Sequence, residues 1–203
     1  MIAWIYNKAL RLKDIQGAKV LDIGCGAGRG LTTPKQEYLH NIEDLAQDLL
    51  AQGLNVTGVD IKDIQVKYPN FTFIRENFLK NSLPDKSFDL VVSCQTWNLI
   101  GKEKPGAGTP PEALDSVEGD KNFIKQIDRV LKDDGTVLLA CTIQPGKYDS
   151  SFRSLTIERI EEDLTGYFEI IDSQIYSLEP GLKEVLLELK KGKNLGKKLG
   201  TFQ

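Results

Sequence analysis

Residues 20–28 read Val-Leu-Asp-Ile-Gly-Cys-Gly-Ala-Gly, a short apolar run that breaks into glycine at every second position. The run is too short for a helix and suits a strand inside a sheet, so the glycines after it must carry a sharp turn. Without Cβ atoms the chain there can bend tightly and let a ligand approach its peptide groups. The spacing is G-x-G-x-G. A dinucleotide fingerprint, G-x-G-x-x-G, needs a further glycine where Arg29 or Leu31 stands, and no Gly-Lys-Ser/Thr follows to make a P-loop.

A second signal follows on the next strand. Val56-Thr57-Gly58-Val59-Asp60 is an apolar run ending in a carboxylate, which can accept bonds from both hydroxyls of a ribose. Each signal also has a plain structural reading: glycines at a strand end make turns, and an aspartate after a strand caps one. Their order and context together favour a ligand.

Apolar runs alternate with helix-period stretches along the whole chain, the pattern of a parallel α/β sheet. Strands are expected at residues 20–23, 56–59, 71–74, 88–93 and 137–141, with a closing antiparallel hairpin from 168–175 and 184–189 turning at Pro180-Gly181. Helices are expected at 2–13, at 33–49 behind a Thr33-Pro34-Lys35-Gln36 start, through Phe123, Ile127, Val130 and Leu131, and near 156–164. The length of 203 residues fits one domain, 1–203, with an N-terminal helix inside 1–16 and a basic tail at 191–203. That tail reads as a solvated terminus, or else as a contact for phosphate or an anionic surface.

Three cysteines without close spacing argue against a disulfide framework or a zinc ribbon, and no metal is expected. No apolar stretch approaches the roughly 20 residues that span a bilayer, and the start lacks the pattern of a signal peptide. A cytoplasmic location is the expectation. The net charge of −3 gives no overall attraction for nucleic acid.

With these residues on view, the sequence resembles the class I S-adenosylmethionine (SAM)-dependent methyltransferases over nearly its whole length, including small-molecule and glycan-associated members of the methyltransferase-11 type. Asp22 to Gly28 is similar to that family's first motif, Asp60 to its ribose acid and Glu76-Asn77-Phe78 to its adenine segment, with Asn77 where aspartate is commoner. Leu83-Pro84-Asp85-Lys86-Ser87-Phe88-Asp89 resembles its approach to strand four, and Ile127 to Gly135 its entry to strand five, with Asp133-Asp134 in place of Pro-Gly. The resemblance implies a Rossmann-like three-layer α/β sandwich with a seven-stranded sheet in the order 3-2-1-4-5-7-6, strand seven antiparallel. It implies SAM as cofactor, held by Asp22, Gly24, Cys25, Gly26, Gly28, Asp60, Ile61, Asn77, Phe78, Cys94 and Gln95.

Methyl transfer from a sulfonium needs alignment and exclusion of water more than it needs a base. Asn98-Leu99 stands where similar sequences often carry Glu-His, and the one histidine, His40, falls in the helix after strand one, as a surface or packing residue or through an active-site insertion. Trp97 reads as core or as a wall of the acceptor pocket. Trp97, Asn98 and Glu103 are the acceptor-side expectations, and the Gly/Pro-rich loop at 101–119 reads as a lid or as a plain connector. Cys25, Cys94 and Cys141, near the ends of adjacent strands, read as packing residues, with a thiolate metal site the alternative. The expected reaction is methylation of a small molecule or glycan precursor; the alternative is a catalytically silent SAM-binding regulatory module.

Overall fold

A computed structural model describes residues 7–9, 17–25, 53–61, 69–94, 96–100, 116–143, 155–179 and 182–192. The expected helix at 33–49, most of that at 2–13, the turn at Pro180-Gly181, most of the 101–119 loop and nearly all of the basic tail lie outside the described residues.

The described residues form a seven-stranded sheet in the order β3-β2-β1-β4-β5-β7-β6. Its strands are β1 (Lys19–Ile23), β2 (Asn55–Asp60), β3 (Phe71–Arg75), β4 (Phe88–Cys94), β5 (Leu131–Thr142), β6 (Phe168–Glu179) and β7 (Leu182–Lys191). The pairs from β3 across to β5 are parallel, while β7 runs antiparallel to both β5 and β6. The described residues also include the helices α1 (Ser116–Val130) and α2 (Ile157–Leu164).

Both faces of the sheet are covered, which is why its central strands read as unbroken apolar runs. One cluster joins Leu21, Ile23, Val59, Val91 and Leu139 to Phe123, Ile127 and Val130 of α1 and Ile160 and Leu164 of α2. The opposite cluster joins Val20, Val56, Leu90, Val92 and Leu186 to Ala9. Residues 7–9 are helical, and Lys8 fastens them to the sheet by reaching Asp172 at 2.6 Å and Glu188 at 2.7 Å. On α1 the spacing of Phe123, Ile127 and Val130 places all three on the buried face, each side chain contributing about 1.5–3 kcal/mol. Thr156 caps α2 by accepting from Arg159 N at 3.1 Å.

Two connections differ from the expected pattern. Leu131 does not close α1 but opens β5, where it pairs with Phe88; the next registered pair is Leu90 with Thr136. Asp133-Asp134-Gly135 therefore forms a bulge inside the strand. Glycine suits its end, since a Cβ on Gly135 would lie 2.6 Å from Leu131 Cδ1. The link from β3 to β4 carries only a 3-10 turn at Phe78–Lys80. Arg129 of α1 holds that link, donating to Leu83 O, Asp85 Oδ1 and Asn81 Oδ1 at 2.6 Å each. The Leu83-Pro84-Asp85 and Arg129 motifs, far apart in sequence, are thus two halves of one contact.

Candidate functional site at the carboxyl edge of the sheet

The expected site residues that the structure describes lie at or just beyond the carboxyl ends of β1, β2, β3 and β4. Gly24 leaves β1 with φ of 74° and donates its N–H to Val59 O at 2.8 Å, so the turn is tied to β2. From β4, Thr96 Oγ1 donates to Ile23 O at 2.8 Å. Cys25 folds back over β2, where a Cβ on Gly58 would lie 2.7 Å from its Sγ. Glycine at 58 is what lets the first turn sit down on its neighbour.

Asp22 is the unusual group of this edge. It is 1% exposed, and its Oδ2 has no hydrogen-bond partner. Burial, and then the neighbouring Asp60, push its carboxyl up to about 8. Asp60 ends β2 half-buried, with its carbonyl accepting from Glu76 N at 3.1 Å. Ile61 follows, half-buried, its carbonyl accepting from Arg75 Nε at 3.4 Å. Across from them, Asn77 Oδ1 accepts from Leu79 N at 3.0 Å and so caps the 3-10 turn. Phe78 is buried, edge-on to Phe123 with centroids 5.7 Å apart. Glu76 accepts from Ser82 N and Oγ at 3.0 and 2.8 Å, bracing the same turn.

The three cysteines are buried free thiols. Burial pushes each thiol up, well away from thiolate at neutral pH.

Beyond β4, Trp97 lies in the core at 2% exposure, its ring 5.9 Å from that of Phe123. Its Nε1 donates to Asp120 Oδ1 at 2.8 Å. Asn98 is fully buried and exchanges two bonds of 2.9 Å with the backbone of Thr142. Gly26, Gly28, Gln95, Glu103 and His40 lie outside the described residues.

The sequence reading missed a buried charge cluster beside Trp97. Arg159 Nε lies 2.8 Å from Asp163 Oδ2 and 3.7 Å from Asp120 Oδ2. Burial raises the Asp163 carboxyl to about 6, with Arg159 offsetting only part of the effect, and Asp163 Oδ1 has no hydrogen-bond partner. A signal was present. Asp120 falls three and seven residues before Phe123 and Ile127, on the apolar stripe of α1, where an acid needs a partner. Glu184, 4% exposed near the start of β7 and paired in register with Thr142, is another buried acid that the alternation of its strand does not reveal.

A parallel sheet in this order, with one antiparallel strand inserted beside β5 and acids at the ends of β1 and β2, is the arrangement of a class I methyltransferase. A family model described as a methyltransferase domain matches residues 15–197. The chain belongs to the class I SAM-dependent methyltransferase family, enzymes whose cofactor is S-adenosylmethionine. A comparison with curated proteins returned no match.

Solved structures share the fold at low identity. The 1,6-didemethyltoxoflavin-N1-methyltransferase of Burkholderia thailandensis, bound to S-adenosylhomocysteine, is similar with a TM-score of 0.61 at 19% identity, over 94% of this chain and 76% of that one. Magnesium protoporphyrin IX methyltransferase from Synechocystis, with bound SAM, gives 0.62 at 16% identity, over 94% and 78%. The 4+2 cyclase SpnF gives 0.65 at 16%, over 95% and 81%. A cyclase among them shows that the fold alone does not select the reaction.

Proposed function

We propose that the protein transfers the methyl group of SAM to a small-molecule or glycan-precursor acceptor, with the cofactor along the carboxyl ends of β1, β2 and β4. The observation that carries this reading is Asp22: a fully buried carboxyl group with an unpartnered oxygen, set beside the half-buried Asp60. Two neighbouring acids are unfavourable in the free protein and suit a ligand that brings positive charge and hydroxyl donors. SAM has an ammonium, a sulfonium and two ribose hydroxyls. The residues present therefore fit the group.

In this reading Asp60 takes the ribose, Ile61, Asn77 and Phe78 border the adenine, and Asp22, Gly24, Cys25, Gly26 and Gly28 border the methionine and ribose. Cys94 and Gln95 lie on the sulfonium side. Trp97, Asn98 and Glu103 remain the acceptor-side candidates, with Trp97 and Asn98 contributing backbone, since the indole N–H and the amide are engaged with Asp120 and Thr142. The cofactor supplies an electrophilic methyl group; the chain's part is to bind, to orient and to exclude water.

One observation favours a silent SAM-binding module instead. Residues 96–100 carry no ionisable side chain, and Thr96, Trp97 and Asn98 are all fastened to the scaffold. Incubation with isotopically methyl-labelled SAM and a panel of small-molecule and nucleotide-sugar acceptors separates the two. Label in a product supports the enzyme. Tight SAM binding with no labelled product from the panel or from a cell extract supports the module. Asp60→Ala should weaken cofactor binding by about 2–4 kcal/mol.

A further inference from the structure

Three consecutive side chains after β4 fasten to three different neighbours. Thr96 bonds to Ile23 O at the end of β1, Trp97 to Asp120 of α1, and Asn98 to Thr142 at the end of β5. The segment leaves the sheet between those two strand ends, so its backbone forms the middle of the carboxyl edge. Two of its fasteners end on backbone that strand pairing already places. The third ends on a side chain, and that side chain must itself be held.

Asp120 is 0% exposed, and Arg159 of α2 lies 3.7 Å from its Oδ2 while bonding Asp163 at 2.8 Å. A cluster of this kind is a poor way to gain stability. Desolvating two acids and a guanidinium offsets most of their attraction, and apolar residues of similar volume would pack as well. Its distinctive property is direction. The carboxylate is aimed at one indole N–H, which must find an acceptor once buried, and so fixes the rotation of the ring and the backbone that carries it.

We propose that Asp120 is a positioning residue of the methyl-transfer site: acting through Trp97 and held by Arg159, it sets the backbone after β4 against the sulfonium side of the cofactor. The inference rests on the cofactor site proposed above. It extends that site to α1 and α2, two elements that contribute none of the proposed cofactor contacts.

The test measures the affinity of the whole chain for S-adenosylhomocysteine by calorimetry, with stability followed separately. Trp97→Phe, which keeps a ring and loses the donor, and Asp120→Ala should each weaken binding about tenfold. The double variant should be no weaker than either one, since both remove the same link. Asp120→Asn, which keeps an acceptor at Oδ1, should recover most of the affinity. Leu164→Ala, a truncation in the same core, should lower the melting temperature and leave affinity within twofold.

A link that only stabilises the fold predicts another pattern: Asp120→Ala melts lower, as Leu164→Ala does, and binds the ligand like wild type. That result overturns the proposal and leaves the cofactor site intact. Additive losses in the double variant overturn it too. If Asp120→Ala does not fold, Trp97→Phe and Asp120→Asn decide by the same criterion. A wild-type chain that fails to bind the ligand removes the cofactor site and the proposal with it.

Discussion

Thr96 Oγ1 donates to Ile23 O at 2.8 Å through the space that a side chain on Gly24 would fill. The glycine of the first motif is thus required from two sides. Its φ of 74° disfavours any other residue, and its missing Cβ leaves room for a hydroxyl from the neighbouring strand end. Gly24→Ala should lower stability by about 2–3 kcal/mol, from backbone strain and the displaced bond together, and should abolish cofactor binding. Thr96→Val, which keeps the shape and loses the hydroxyl, should lose only about 1 kcal/mol. Urea denaturation of the three proteins checks both figures.

With the cofactor placed as proposed, Asp22 should make its binding depend on pH. Its carboxyl, pushed up to about 8 by burial and Asp60, is protonated at neutral pH in the free protein. A ligand ammonium beside it favours the ionised form, so binding should release a proton below pH 8. Affinity for S-adenosylhomocysteine should therefore rise between pH 6 and 8. Calorimetry in buffers of different ionisation enthalpy reads the released proton. Asp22→Asn should bind more weakly and show no rise over that range; a slope that survives the substitution assigns the proton elsewhere.

Asp163 gives the fold a pH dependence of its own. Its carboxyl is raised to about 6 by burial, which outweighs the attraction of Arg159. Asp120 and Glu162 push in the same direction as burial. A folded-state value above the unfolded one means stability that is full below about pH 4 and lost as pH rises through 6. The loss should amount to about 2–3 kcal/mol between pH 4 and 7. Asp163→Asn should flatten that part of the melting-temperature profile. Identical slopes in the two proteins would show that Asp163 ionises without penalty.

Asn98 tests whether the segment after β4 is fastened to β5. Its amide donates to Thr142 O and accepts from Thr142 N, so the two ends of the side chain are not interchangeable. Asn98→Asp turns the donor into an acceptor facing a carbonyl in a fully buried place. The fold should lose about 2–4 kcal/mol, more than in Asn98→Ala. Thermal unfolding of the pair gives the order; the reverse order would mean that water reaches the site.

The apolar strands, the turn after β1 and the acids at Asp22 and Asp60 were legible in the chain because each is a local pattern, whereas the order of the strands followed only from the family resemblance. A buried parallel strand must be apolar throughout, and a ligand-facing turn must lack Cβ atoms, so neighbouring residues carry the information. The bulge at Asp133-Asp134-Gly135 was not legible in this way. Leu131 continues the helical spacing of α1 and yet pairs with Phe88, because register against β4 outweighs local periodicity.

What the sequence determined by itself was the α/β class of fold, the glycine turn after β1 and the two acids Asp22 and Asp60 at one edge of the sheet. Only the tertiary structure decided how Trp97 and Asn98 spend their side chains, and that Asp120, Arg159 and Asp163, scattered across two helices, form one buried cluster next to them. The reason is physical. A hydrophobic period or a glycine turn is set by the geometry of a few adjacent residues, whereas a buried polar side chain takes its meaning from whichever distant group completes its hydrogen bonds.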